Sequence, residues 1–145
     1  MKNAILTILL AAAVAFGQQA DNAKKARPSQ AKVLTRAEFD DLLAKPDQLV
    51  IIDVRRPDEV KDNGGFPVYL SIQLADLEKS LAWIPKDRTV VTVSNHAARG
   101  GRAADILAKN GFKVAGTIGA QNYEEQGGKL TRIEVPKQAA ANEKK

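Results

Sequence analysis

Residues 94–100, Ser-Asn-His-Ala-Ala-Arg-Gly, carry the side chains in this chain that are best suited to chemistry. They follow an apolar run that ends at Ser94 and lead into a helix-like segment near Gly100. A loop between a strand and a helix can point backbone N–H groups at one place, where the helix dipole also attracts an anion. Arg99 adds a permanent positive charge. The pattern predicts an anion-binding loop made of Ser94, Asn95, His96, Ala97, Ala98, Arg99 and Gly100.

The same loop allows a second interpretation, in which Ser94 is a nucleophile. A serine hydroxyl is mostly protonated at neutral pH and attacks only when an adjacent base takes its proton. His96 is the only histidine in the chain and therefore the only candidate imidazole base. A triad also needs a group that orients the base, and the sequence supplies none unless Asp53 folds close to His96.

A second predicted strand end carries charged residues. The apolar run Gln48–Val54 contains Asp53 near its end, and Arg55 follows directly. In open α/β sheets, ligands bind beyond the carboxyl ends of the strands, so this pair is expected near the loop. We expect Asp53 and Arg55 either to pair with each other or to brace the loop, which is in both cases a mainly structural role. Arg99 likewise has an alternative role, as the partner of an acidic side chain at the surface.

Two residue counts limit the chemistry. The chain has no cysteine, which excludes disulfides, thiolate metal sites and thiol nucleophiles. A single histidine excludes a site built from several histidine ligands. We therefore expect neither a metal nor another cofactor.

The elements that must position these residues follow from the hydrophobic pattern. Strands are predicted at Gln48–Val54, within Phe66–Leu74, at Thr89–Ser94 and at Lys113–Ile118. Helices are predicted from a Thr35–Glu38 capping box to Pro46, over Ala75–Ile84, over Gly101–Asn110 and over Gln121–Gln126. Alternating strands and helices predict a small three-layer α/β domain, with a mainly parallel central sheet flanked by helices.

Two local interpretations accompany this assignment. Asp58–Gly65 is charged and ends in two glycines, which indicates a loop or a frayed turn. Trp83 adjoins the apolar stripe of the helix predicted over Ala75–Ile84, so its ring is expected in the core or at its margin.

Four ordered motifs resemble those of rhodanese-like domains, over about residues 33–130. The segment Ser94–Gly100 is similar to the family's active-site loop, in which a cysteine, four residues and an arginine open a helix. Ser94 stands at the cysteine position and Arg99 at the arginine position. The other three motifs are Ile52–Glu59, Gly64–Pro67, and Ile118–Ala120 with Tyr123. The resemblance implies the rhodanese-like fold.

The chain departs from the family pattern at four positions. Ser94 replaces the cysteine, Gly65 a turn histidine, Ala97 a loop glycine, and Gly100 a serine or threonine. The resemblance implies a cysteine that takes sulfur from a donor such as thiosulfate and carries it as a persulfide. The related phosphatases and arsenate reductases also use that thiolate, so Ser94 argues against all three activities.

The departures therefore predict a pseudoenzyme without sulfurtransferase activity. Its loop is expected to bind a small oxyanion, or an acidic or persulfide group of a partner protein. Two other classes remain open. One is an enzyme that uses the Ser94–Arg99 loop, either for sulfur transfer by another route or with Ser94 as the nucleophile. The other is an interaction module in which the loop has no role.

The two ends of the chain differ from its centre. Met1–Gly17 has an early lysine, an apolar run too short to span a membrane, and small residues at its end. This pattern predicts a signal peptide and a periplasmic or secreted protein without a membrane anchor after cleavage. Residues 18–32 are predicted to be a flexible linker, 33–133 the rhodanese-like domain, and 134–145 a disordered tail.

The net charge of +5 is unevenly distributed. Residues 1–32 carry a net charge of +4, residues 134–145 carry +1, and residues 33–133 are neutral. A nucleic-acid-binding domain would carry the basic excess on its folded surface. The distribution therefore argues against nucleic acid as a partner.

Overall fold

The computed structural model describes residues 28–132, in which four strands form one parallel sheet. The strands are β1 (Leu49–Asp53), β2 (Leu70–Ser71), β3 (Thr89–Ser94) and β4 (Lys113–Gly119). Their order is β2-β1-β3-β4, and each neighbouring pair is parallel. The predicted signal peptide, the tail after Ile133 and most of the predicted linker lie outside the described residues.

Five helices surround this sheet. They are α1 (Arg36–Leu43), α2 (Pro57–Asn63), α3 (Leu77–Ser80), α4 (Ala98–Lys109) and α5 (Ala120–Glu125). Short 3-10 turns occupy Pro46–Gln48, Leu74–Asp76 and Leu81–Trp83. Within residues 28–132, the helices lack the length and apolar character that crossing a membrane requires.

Helices cover both faces of the sheet, which confirms the predicted three-layer α/β class. On one face, Phe39 of α1, Phe66 and Tyr123 of α5 pack edge to face with ring centroids 4.8 to 5.7 Å apart. On the other face, Leu77 of α3 and Leu107 of α4 pack on alternate strand residues. Strands covered on both sides bury every residue, as β1 does, and this explains their continuous apolar runs.

The sequence signals at the first helix and at the third strand were sufficient to predict where these elements begin. The side-chain oxygen of Thr35 accepts a hydrogen bond from the N–H of Glu38, and the Glu38 carboxylate accepts one from the N–H of Thr35, so the predicted capping box is confirmed. β3 has the predicted bounds, Thr89–Ser94. Helix α4 begins earlier than predicted, at Ala98, which places Arg99 and Gly100 in its first turn.

The interpretation of Asp58–Gly65 as a loop is wrong, because helix α2 covers most of it. Pro57 occupies the first turn, where its missing N–H has no helical acceptor to lose. The carboxylate of Glu59 accepts a hydrogen bond from the N–H of Arg56 at 3.0 Å and completes the helix start.

The segment Ala75–Ile84 is not one continuous helix, and the expectation that Trp83 is a core residue is wrong. The chain tightens from α3 into the 3-10 turn Leu81–Trp83. A 3-10 turn has three residues per turn instead of 3.6, so the Trp83 side chain does not lie on the same face as Leu77. The Trp83 side chain is 83% exposed, while Leu77 and Ile84 are buried.

The contacts of the domain begin before Val33, where the sequence analysis places a linker. The carbonyl of Lys32 accepts a hydrogen bond from the N–H of Thr117 at 2.8 Å, and the N–H of Leu34 donates to the Thr117 carbonyl at 2.8 Å. Gln30 N–H donates to the Asp105 carboxylate on α4 at 3.3 Å. Residues 28–32 therefore run along β4 and α4.

Candidate functional site

Ser94 is the last residue of β3, and its side chain is buried at the carboxyl edge of the sheet. Its Oγ accepts a hydrogen bond from the N–H of Gly100 at 3.1 Å. This N–H belongs to the first turn of α4, whose early N–H groups have no helical acceptor. The hydroxyl thus stands where the resemblance places a thiol, under the start of the helix.

Gly100 is required by its neighbours. A Cβ at this position would overlap the Oγ1 of Thr117. The Thr117 hydroxyl donates to the carbonyl of Thr92 at 3.1 Å, and the Thr92 hydroxyl donates to the Gly100 carbonyl at 2.8 Å. The space that a serine or threonine side chain would need is therefore filled from β4, which explains this departure from the family pattern.

Ala97 keeps the loop in a backbone conformation that favours glycine. Its φ of 64° and ψ of −18° lie in the left-handed region, and the residue is buried immediately before α4. This conformation costs an alanine about 1 kcal/mol relative to glycine. Within residues 28–132, the N–H groups of His96 and Ala97 have no hydrogen-bond partner. The N–H groups of His96 and Ala97 are therefore open to a ligand.

Gly65, at the position of the turn histidine, is buried against α2. Its backbone pairs with Thr131 through hydrogen bonds of 2.9 and 2.8 Å. A Cβ here would lie 3.0 Å from Val60 Cγ1 and 3.7 Å from Arg55 Nη2. The turn is packed so closely that a histidine would require Val60 or Arg55 to move.

Asp53 and Arg55 form the bracing pair that the sequence predicts. Both side chains are buried, and Arg55 Nη2 lies 2.7 Å from Asp53 Oδ2. Arg55 Nε also donates to Asp53, and Nη2 donates to the Gly64 carbonyl at 2.9 Å. Because a buried charge is stable only when paired and hydrogen-bonded, the two residues depend on each other.

Arg99 forms a two-pronged ion pair with Glu59 of α2. Its Nη1 donates to Glu59 Oε2 at 2.8 Å and its Nη2 to Oε1 at 2.5 Å. The hydrogen bond from Arg99 lowers the pKa of Glu59 from 4.5 to about 2, against the effect of burial. The same bond raises the pKa of Arg99. Arg99 therefore has the alternative role, as the partner of an acidic side chain, and its positive charge is balanced by Glu59.

Asn95 joins the two ion pairs. Its Oδ1 accepts a hydrogen bond from Arg55 Nη1 at 3.3 Å, and its Nδ2 donates to Glu59 Oε1 at 2.8 Å. The network therefore connects the end of β1, the helix α2 and the loop after β3. These contacts fix the position of the loop. They also neutralise the positive charges of Arg55 and Arg99.

The geometry does not assemble a serine nucleophile. The side chain of His96 is exposed, and no hydrogen bond among residues 28–132 joins it to Ser94. The Asp53 carboxylate faces Arg55 rather than the imidazole.

The last loop residue to be placed is Ala98, which is exposed at the first position of α4. Within the described part of the chain, no group of three His, Asp or Glu side chains is arranged to hold a metal ion.

Two residues of the site, Glu59 and Thr117, are not among those predicted from the sequence. Glu59 carried a local signal, because a proline followed by two acidic residues is typical of a helix start. Its partner Arg99 is 40 positions away, so the contact itself had no local signal. Thr117 lies in an apolar strand and gave no sign that it fills the space beside Gly100.

The comparisons with known proteins agree with this geometry. The model of the rhodanese-like domain family matches residues 35–124. A rhodanese-related protein from Thermoplasma volcanium has 19% identity and a TM-score of 0.61, with 70% of this chain and 99% of that chain covered. No curated protein matches the chain.

Two further solved structures show the range of proteins with this fold. A protein of unknown function from Rhodopseudomonas palustris, described as a possible tyrosine phosphatase, has 25% identity and a TM-score of 0.60, covering 70% of this chain and 85% of that one. A thiosulfate sulfurtransferase from Pseudomonas aeruginosa has 24% identity and a TM-score of 0.57, covering 72% and 21%. Because the family model matches residues 35–124, which contain the whole sheet and the Ser94–Gly100 loop, the chain belongs to the rhodanese-like domain family.

Proposed function

We propose that this protein is an exported rhodanese-like domain without sulfurtransferase activity. Its loop binds a small oxyanion, or the acidic or persulfide group of a partner protein. The observation that carries the proposal is the buried hydroxyl of Ser94 under the start of α4, bonded to the Gly100 N–H and to no base.

Sulfur transfer needs a thiolate. The thiolate attacks the outer sulfur of a donor such as thiosulfate, and the donor's S–S bond breaks with release of sulfite. The resulting persulfide then transfers its outer sulfur to a thiol or cyanide acceptor, which regenerates the thiolate. Ser94 offers a hydroxyl whose oxygen already accepts a hydrogen bond, and among residues 28–132 no imidazole or carboxylate forms a hydrogen bond with it that could remove its proton. An oxygen–sulfur adduct would not carry sulfur, so this step is lost.

Anion binding depends on the backbone more than on Arg99. The open N–H groups of His96 and Ala97 lie at the start of α4, a helix of 12 residues whose dipole favours negative charge there. Arg99 and Arg55 are both neutralised by carboxylates. We therefore expect weak binding selected by the shape of the loop, with little change on Arg99→Ala.

The decisive experiment compares the wild type with Ser94→Cys and Ser94→Ala in a thiosulfate-to-cyanide assay. We expect no activity from the wild type or Ser94→Ala, and activity from Ser94→Cys because the loop backbone is intact. Thiocyanate production by the wild type would refute the proposed loss of activity. A folded but inactive Ser94→Cys protein would refute the retained loop.

Oxyanion binding can be measured separately, by calorimetric titration with sulfate, thiosulfate and phosphate against chloride. We expect saturable binding that Ala97→Pro removes, because proline deletes an open N–H and cannot adopt a positive φ. Equal heats for all four anions would exclude a specific site.

Export is tested by the mature N-terminus. The apolar run and small residues of Met1–Gly17 support cleavage near Gly17. We expect mass spectrometry of the protein from a periplasmic or culture fraction to show a chain that begins at about Gln18. A cell-associated chain that retains Met1 would contradict export.

A further inference from the structure

An apolar groove of about 380 Å³ lies beside β1, on the outer side of the sheet. It is separate from the Ser94–Gly100 loop, because none of the loop residues lines it. The residues that matter for its character are Leu43, Leu49, Ile51, Val68, Leu70 and Trp83.

The groove collects most of the exposed apolar side chains in the described part of the chain. Trp83 is 83% exposed, Val68 79% and Leu70 38%, and all three line it. Only one other large apolar side chain among residues 28–132, Val33, is comparably exposed. Exposed apolar side chains are common singly, but three that converge on a concave surface mark a site of interaction.

The backbone beside the groove is an incompletely paired strand edge. Every residue of β1 pairs with β3 on one side, whereas on the other side β2 pairs only with Ile52 and Asp53. Within residues 28–132, the stretch Leu49–Ile51 has no strand on its outer side. The three residues are only 6 to 8% exposed, and an added strand reaches their main-chain groups through the groove that they line.

One charged residue lines the groove. Arg88 precedes β3 at the end of the groove near Trp83 and Pro85, and its side chain is exposed. Among residues 28–132, Arg88 forms no ion pair. It therefore offers a free cation to an occupant that carries a carboxylate.

We propose that this groove binds an extended apolar segment of a partner protein that has a carboxylate next to its apolar residues. The segment adds as a short strand to Leu49–Ile51 and places alternate side chains against Val68 and Trp83. Its carboxylate pairs with Arg88.

Two other occupants fit less well. In a two-fold dimer each groove would face the same groove of the other copy, and that surface offers Arg88 no carboxylate, because Arg88 is the one charged residue that lines it. The described part of the chain ends at Arg132, and it pairs antiparallel with Gly65 through Thr131. Arg132 lies beside Gly64, on the side of Gly65 that is opposite to Val68 in the chain direction.

Trp83 supplies the readout, because it is the only tryptophan in the chain. We suggest selecting binders to the full chain from a library of random octapeptides displayed on phage, and synthesising the consensus peptide. The expected consensus is apolar residues at alternate positions with Asp or Glu near one end. Binding of that peptide is expected to shift the tryptophan emission to shorter wavelength, because the indole leaves water.

Matched variants locate the binding. Val68→Lys, at a position exposed enough to tolerate lysine, is expected to weaken peptide binding at least tenfold. Val33→Lys, which changes the same residue type at a 61% exposed position outside the groove, is expected to leave it unchanged. Arg88→Glu is expected to weaken binding severalfold, and a peptide with lysine in place of its carboxylate is expected to restore it.

Three results would overturn the proposal. The first is a selection without an apolar consensus, or with one that binds Val68→Lys as well as the wild type. The second is a dimer in sedimentation that Val68→Lys dissociates, which would make a second copy the occupant. The third is a shift of the emission to longer wavelength in the free protein on Ile133→Lys/Val135→Lys, which would make the chain's own C-terminal segment the occupant.

Discussion

The ends of β1 and β3 lie side by side at the carboxyl edge of the sheet, yet they are held in different ways. The end of β1 is held by a local pair, Asp53 and Arg55, two residues apart and buried together. The loop after β3 is held from a distance, by Glu59 of α2 and Thr117 of β4.

The difference explains why the loop tolerates its departures from the family pattern. Glu59 fixes Arg99 and Asn95, and Thr117 fills the space beside Gly100. The positions of the loop atoms therefore depend on contacts outside the loop, and the serine at position 94 changes the chemistry without removing these contacts. The scaffold and the reactive atom are separable in this domain.

The largest expected effect is on the local pair. Arg55→Met would leave the Asp53 carboxylate buried without its cation, and we expect the free energy of unfolding to fall by about 3–5 kcal/mol in urea denaturation. Asp53→Leu/Arg55→Met, which removes both charges, should cost less than the single change. If Arg55→Met were nearly neutral, the end of β1 would not depend on this pair.

The second prediction concerns the contact between Gly100 and Thr117. Gly100→Ala would place a Cβ against Thr117 Oγ1, and overpacking of this kind is expected to lower the free energy of unfolding by about 2–3 kcal/mol. Combining it with Thr117→Ala should cost less than the sum of the two single changes. Strictly additive costs in thermal or urea unfolding would show that the two side chains do not compete for this space.

The extent to which the sequence could predict the structure follows the same division. The Thr35 capping box, the bounds of β3 and the Asp53–Arg55 pair are encoded within a few residues of each other, and all were predictable. The ion pair of Arg99 joins residues 40 positions apart, so the sequence alone does not identify Glu59 as its partner. Family motifs located the loop, but not what holds it.

Two wrong predictions have a similar cause. Asp58–Gly65 has the charged composition of a loop, although Pro57 before it is typical of a helix start. Composition therefore predicts a loop where helix α2 lies. The exposure of Trp83 depends on a 3-10 turn that the spacing of apolar residues did not reveal. Periodicity describes regular helices, and the turn departs from that period.

The third prediction concerns the Glu59–Arg99 ion pair and the pH dependence of the stability that it provides. Glu59→Gln removes the charge that pairs with Arg99, and we expect a loss of about 1–2 kcal/mol at pH 7. The pKa of Glu59 is about 2 in the folded protein and near 4.5 when unfolded. The stabilisation is therefore complete above about pH 5 and is lost as the pH falls towards 2.

Urea denaturation of the wild type and Glu59→Gln at pH 7, 4, 3 and 2 measures this effect. The difference between them should shrink over that range and vanish near pH 2. Glu124→Gln, which removes the carboxylate of the more exposed pair with Arg132, is the matched control and should show a smaller difference at pH 7 than Glu59→Gln, below about 1 kcal/mol. A difference for Glu59→Gln that is independent of pH would assign the stabilisation to packing instead of charge.

The smallest expected effect has the opposite sign and concerns Ala97. Its positive φ strains an alanine but not a glycine, so Ala97→Gly should raise the free energy of unfolding. The gain is limited to about 1 kcal/mol, because glycine also increases the entropy of the unfolded chain. Ala98→Gly, at the exposed neighbouring position inside α4, should lower the stability by up to about 1 kcal/mol. If both changes destabilised the protein equally, the loop would not be strained at Ala97, and its shape would not be imposed by contacts from α2 and β4.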